Sequence, residues 1–173
     1  WKYNDSKIFM MRIFNNWLNI LFILSVISIT SALVAEFFFD LAPCNMCLKQ
    51  RHPYYVIIFL VILFYIFRQT KNIWLFIFSQ IALLYGFFYA VWHVGIEQKI
   101  LPGPASCSGI LSQTDSIQNL KQQITNQAIV NCSEITWAVF GLSAATLNAL
   151  LLLFLLIFNT IFIVQYFYGT KKN

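Results

Sequence analysis

The sequence predicts an all-α membrane protein, a bundle of four transmembrane helices, and three observations carry that expectation. Of the 173 residues, 60% are apolar and only 10% are charged, whereas a water-soluble domain carries about a quarter charged residues. One compact core cannot hide so much apolar surface, so the bilayer is the expected solvent. The charges also leave four long charge-free runs, 13–35, 52–67, 72–96 and 135–170. None of these runs shows the alternation of a barrel strand, and helices are the other structure that satisfies the backbone in lipid.

A helix needs roughly 20 apolar residues to cross the hydrocarbon core. The first run predicts a span over 13–37. It is too long for a secretory signal and lacks a clear cleavage site, so it is expected to remain as a span. The second run is short, so its helix is expected to begin earlier, among the cysteines near Pro43, and to cover 45–67. The third run predicts a span over 73–96. The fourth has length to spare, and its span is placed at 136–164. Two loops, 38–44 and 97–135, then fall on one side. In the longer loop Ile117, Leu120 and Ile124 recur at helical spacing behind a possible capping box of Asp115 and Gln118. A short amphipathic helix at the membrane surface is expected there. The whole chain, 1–173, reads as a single integral membrane domain.

Orientation follows from lysine and arginine. With four spans, both termini share a side with the turn near Arg68. Lys2, Lys7, Arg12, Arg68, Lys71, Lys171 and Lys172 collect there, against Lys49, Arg51, Lys99 and Lys121 on the other. The first side, with both termini, is therefore expected to be cytoplasmic. Trp17, Trp74, Trp92, Trp137, Tyr166 and Tyr168 lie near expected span ends, where amphipathic rings favour the headgroup layer. The net charge of +5 is spread along the chain as topology signals. A nucleic-acid surface would need a clustered basic face, so no nucleic-acid partner is expected.

All four cysteines, Cys44, Cys47, Cys107 and Cys132, fall on the non-cytoplasmic side, where disulfides persist. Zinc would want two closely spaced pairs or added histidines. The second pair here is far apart, and no metal is expected. Structural disulfides are the plainer alternative. Two features favour redox work instead. A C-x-x-C bridge closes too small a loop to constrain the unfolded chain much, while its exchange chemistry is well precedented. If the second helix starts near Pro43, then Cys44, Cys47 and Arg51 share one face. The helix N-terminus and the guanidinium would both stabilise a thiolate. Arg51 would otherwise snorkel to the headgroups. His93 on its apolar face reads as a hydrogen-bonded packing residue.

Such chemistry needs a place for electrons to go. The chain shows no glycine-rich nucleotide fingerprint and no haem-attachment motif. A lipid-dissolved quinone leaves no such signature. It would meet Cys47 at the end of the second helix, with Arg51 donating hydrogen bonds to its oxygen as negative charge develops.

Several stretches resemble the DsbB family of bacterial disulfide-forming membrane proteins. "PCNMCLKQR" resembles its P-C-x-x-C-x-x-[QE]-R signature, "HVGIEQKILPGPASC" the segment leading to its third cysteine, and "CSEITWAVFGLSAATLN" the fourth cysteine and last span. The resemblance implies a thiol:quinone oxidoreductase of the bacterial inner membrane. Its members reoxidise a periplasmic thioredoxin-fold partner, DsbA, and pass the electrons to ubiquinone or menaquinone; this is the established relay that keeps the bacterial periplasm oxidising. Carried over, Cys107 is attacked by the partner, Cys132 is freed to attack Cys44, and Cys47 becomes the thiolate facing the quinone beside Arg51. The prolines and glycine of "LPGPASC" favour an extended, exposed segment for the partner's groove. A DsbB-like oxidase serving a dedicated substrate, or a disulfide-stapled scaffold without activity, are the alternatives.

Overall fold

A computed structural model describes residues 2–70, 72–104, 107, 131–133, 135, 138–139 and 141–171. Among them are four helices, each with a stretch long and apolar enough to cross a membrane. The first, α1, is Lys2–Phe38, and its candidate crossing portion is Asn16–Phe38. It starts well before residue 13 because the charge-free criterion reports lipid contact, whereas lysine and arginine are themselves good helix formers. The chain then turns through Asp40, at a φ of 52°.

Helix α2, Asn45–Ile66, begins just after Pro43, with Cys44 as its extended N-cap residue. The Cys44 sulfur accepts the backbone N–H of Cys47 at 3.2 Å. A first-turn donor that would otherwise be orphaned is thereby held by a sulfur. Helix α3, Ile73–Glu97, is capped by Asn72, whose side-chain oxygen accepts from the Trp74 N–H at 3.1 Å. Helix α4, Ala144–Lys171, starts later than the expected 136. Ahead of it, strand β1 (Ala138–Val139) pairs antiparallel with β2 (Leu142–Ser143). Gly141 makes the turn at a φ of 81°, which other residues rarely adopt. The Ser143 hydroxyl then accepts from Thr146 N–H at 3.2 Å as a helix cap. The amphipathic helix expected around residues 117–124, and Trp137, lie outside the described residues.

Helix α2 packs between α1 and α3, and α3 packs against α4. Leu21, Ile57, Phe76, Leu83, Leu152 and Leu155 are fully buried between them, while Ile23, Phe59, Leu84 and Phe154 point outward and are exposed. Apolar residues on both faces are what a lipid-embedded helix carries. Pro53 of α2 lies so close to α3 that a Cβ on Gly86 would sit 2.5 Å from its ring. A small residue there lets the two helices approach. Trp17, expected in the headgroup belt, is instead buried, because its indole N–H donates to Asn159 inside the bundle.

Candidate active site

The site forms where α2 begins and α3 ends. Cys107 and Cys132 are joined in a disulfide, with Cα atoms 5.1 Å apart. Both are buried, together with Cys44, Met46 and Ile96. The Cys107 amide donates to Pro104 at 2.8 Å, and that of Cys132 to the Cys107 carbonyl at 3.2 Å. Leu101–Gly103 are exposed, as the prolines and glycine imply, but the Cys107 sulfur is not. The expected exposure therefore holds for Leu101–Gly103 and fails for Cys107, which is buried with Met46 and Ile96.

Cys44 and Cys47 are free, with sulfurs 2.8 Å apart. The Cys44 sulfur, the Cys132 sulfur and a ring nitrogen of His93 all lie within 4.8 Å of one another. Exchange proceeds by direct attack of thiolate on sulfur, so the closed bridge and the open pair are already neighbours. Two sulfurs and an imidazole would also suit a soft metal. In this arrangement, however, Cys132 is committed to the disulfide, and a metal takes thiolates.

The two sulfurs of the open pair face different surroundings. Cys44 faces His93 and the bridge. Cys47 lines a cavity of about 340 Å³ together with Ser28, Arg51, Tyr54 and Asn148. Its remaining walls come mainly from apolar residues of α1 and α4. The volume lies within the usual range for a small-molecule site, about 300–1,000 Å³. Apolar walls with a few convergent donors fit a flat, uncharged ring bearing carbonyl oxygens. Arg51 does not snorkel away. Its guanidinium is paired with Glu36 of α1 at 2.5 Å and reaches the Ala32 carbonyl at 3.4 Å. A largely buried charge of this kind is retained because it has a partner.

Behind Cys44, hydrogen bonds link three helices. Tyr54 donates to Asn148 Oδ1 at 2.5 Å, and Asn148 Nδ2 donates to Gln50 Oε1 at 2.7 Å. Gln50 Nε2 lies 2.8 Å from His93 Nδ1, and His93 Nε2 lies 3.6 Å from the Cys44 sulfur. One helical turn further along α3, Glu97 accepts from Ser143 at 2.5 Å, tying α3 to the start of α4. The Cys44 thiol is held well below the usual thiol range. The hydrogen bond from Cys47 is the largest cause; burial opposes it, and the hydrogen bond with His93 adds to it.

The four cysteines named from sequence thus converge, and Arg51 lies one turn past Cys47 on the cavity wall. Sequence reasoning missed Glu36, Gln50, Tyr54 and Asn148 as parts of the site. A signal for Asn148 was present, since an amide inside an apolar span is costly unless it has work to do. His93, read as a packing residue, is buried and hydrogen-bonded, and it also lies 3.6 Å from the Cys44 sulfur.

A family model described as "Disulfide bond formation protein DsbB" matches residues 14–162. An uncharacterized protein of Rickettsia prowazekii (strain Madrid E) is 32% identical over 141 residues, covering 80% of this chain and 81% of that protein. No solved structure matches this chain.

Proposed function

This chain belongs to the DsbB family of disulfide bond formation proteins, multi-pass membrane oxidoreductases, and on that premise we propose that it is a thiol:quinone oxidoreductase. It reoxidises a thioredoxin-fold, DsbA-like dithiol partner and passes two electrons and two protons to a membrane quinone, ubiquinone or menaquinone. Its membrane is the bacterial inner membrane, with the cysteines on the periplasmic side. The observation that carries this reading is the closed Cys107–Cys132 bridge beside the open Cys44 and Cys47 pair, whose second sulfur lines a cavity with Arg51.

The partner's thiolate attacks Cys107, and Cys132 leaves as a thiolate. Cys132 then attacks Cys44 of an oxidised Cys44–Cys47 pair, and Cys47 leaves as a thiolate on the cavity wall. Each exchange consumes one thiolate and releases another, so the electron pair moves without net loss. A quinone bound there supplies the two-electron acceptor. Arg51 would hold its oxygen as charge develops, and Glu36 holds Arg51 in place.

Purified protein, a reduced thioredoxin-fold donor and a soluble quinone analogue test this by quinone absorbance. Cys47→Ser is expected to abolish quinone reduction, and Cys107→Ser to block oxidation of the donor. Undiminished turnover in either variant contradicts the assignment. Bridges that resist mild reductant, with no quinone-dependent thiol oxidation, would instead mark a stapled scaffold.

A further inference from the structure

We propose that the hydrogen-bonded chain Tyr54–Asn148–Gln50–His93 fixes the tautomer of His93 with its Nε2 proton directed at the Cys44 sulfur. His93 is then the catalytic hydrogen-bond donor to a Cys44 thiolate, and Asn148, Gln50 and Tyr54 are its positioning residues. The use of that donor in thiol exchange rests on the function proposed above; the tautomer itself does not.

The argument is one of polarity. An amide side chain has one accepting and one donating end, so each amide passes its orientation to the next group. Tyr54 gives its proton to Asn148 Oδ1. Asn148 is then left to donate from Nδ2, which it does to Gln50 Oε1. Gln50 is left to donate from Nε2, and the atom it meets is His93 Nδ1. A nitrogen that accepts is bare, so the ring proton of a neutral imidazole sits on Nε2.

The opposite polarity would leave Nε2 bare, making His93 a base or a metal ligand within the Cys44–His93–Cys132 group.

The chemical use follows. In an exchange where Cys107 attacks Cys132 of a Cys44–Cys132 bridge, the 107–132 bond forms and the 44–132 bond breaks. The electron pair departs on Cys44. The Nε2 proton meets that charge where it appears, without proton transfer. Cys44 then remains ionised for the step in which the Cys44–Cys47 bond re-forms and the electron pair passes to the quinone, the two-electron acceptor of the function proposed above. Among the described residues, Cys44 at the N-cap of α2 meets His93, and Cys47, Arg51 and Tyr54 of α2 line the same cavity as His93, with Arg51 paired to Glu36 of α1. Glu97 lies on the same helix as His93 and is held by Ser143. Cys132 is tied in its bridge, and α4 presents the neutral Asn148.

Protein labelled with ¹⁵N-histidine, its second bridge closed and its first pair reduced, gives the tautomer from ¹⁵N–¹H couplings with no partner or quinone present. The chain has two histidines, and His52→Gln assigns the signals. His93 is expected with Nε2 protonated and Nδ1 bare. Asn148→Asp is isosteric but cannot donate to Gln50, so Gln50 turns and presents its oxygen to Nδ1. That variant is expected to move the proton to Nδ1 and to raise the midpoint of the Cys44 thiolate absorbance by about one pH unit, a tenfold change in proton affinity. Parent protein with Nε2 bare, or an Asn148→Asp protein with both readouts unmoved, overturns the proposal. If Asn148→Asp does not fold, the parent spectrum alone decides. Neither result bears on the quinone assay, so the two proposals fail separately.

Discussion

Among the described residues, the bundle holds two polar clusters built around the buried amides Gln50 and Asn159, and they are built to opposite ends. Toward the end of the bundle away from the cysteines, Asn159 of α4 is fully buried. It accepts from Trp17 of α1 at 3.3 Å and donates to the Phe76 carbonyl at 3.0 Å and to Gln80 at 2.7 Å on α3. Gln80 continues to Thr160 at 2.7 Å, and Thr160 donates back to the Leu156 carbonyl at 2.7 Å. That cluster ends on acceptors and holds no group that titrates near neutral pH. The cluster at the cysteine end runs through similar amides but stops on the Cys44 sulfur and borders a cavity. Buried polar groups in a bilayer therefore carry two meanings. A cluster that closes on itself joins helices; one that ends on an ionisable atom beside open space is placed for the chemistry proposed above.

The largest effect should come from breaking the second kind at its terminus. Cys44→Ser keeps an N-cap side chain, since serine caps at least as well, but replaces a strong nucleophile with a weak one. Turnover should fall by about 10³-fold or more, with the thermal midpoint nearly unmoved. A large loss of stability here would erase the distinction between the two clusters. Asn159→Leu is the mirror experiment. It leaves the Trp17 N–H and the Gln80 side-chain oxygen without their Asn159 partner, at a cost of about 1–3 kcal/mol. Turnover per folded molecule should stay at the parent level. Normal stability with lost activity would mean that the far cluster also takes part in the reaction.

A smaller effect is expected at the seam between the clusters, where Pro53 precedes Tyr54 in α2 and meets Gly86 of α3. Gly86→Ala places a Cβ 2.5 Å from the Pro53 ring, an overlap that costs about 1–3 kcal/mol in a packed interior. Pro53→Ala removes the opposing atom, so the double variant should recover part of that loss. Strictly additive losses in the cycle would show that this contact does not set the approach of α2 to α3.

How far the sequence revealed these regions depends on what a one-dimensional pattern records. Charge-free runs located the spans because charge is what lipid excludes. They did not report the start of α1, where lysines and arginine continue the helix, nor that of α4. There an unbroken apolar run hides the hairpin at Gly141 and the Ser143 cap. The cysteines and Arg51 were legible because few chemistries need a dithiol beside a guanidinium. Glu36 and Asn148 were not, since their importance depends on which helices are neighbours. Spacing along one helix says nothing about the residue facing it on another. His93 looked like packing because its partners lie 43 and 49 positions away along the chain.

The smallest expected effect is a lack of response to pH, and it separates the two clusters most directly. Cys44 is held below the ordinary thiol range, chiefly by the hydrogen bond from Cys47. Serine at position 47 keeps a donor while removing the competing thiol. In Cys47→Ser, with the Cys107–Cys132 bridge closed, the thiolate absorbance should change by less than about twofold between pH 8 and pH 6. An unperturbed thiol, with a pKa of about 8.5, would lose nearly all of its ionised fraction over that interval. The sign for stability follows. The folded thiol binds fewer protons than the unfolded one, so its contribution is full above the unfolded pKa and declines as pH falls toward the folded one. The Asn159 cluster has nothing to titrate, so destabilisation by Asn159→Leu should be equal at both pH values. A Cys44 that titrates like a free thiol would leave the cysteine-end cluster as structural as the other, with the helix cap and His93 donor contributing no ionisation.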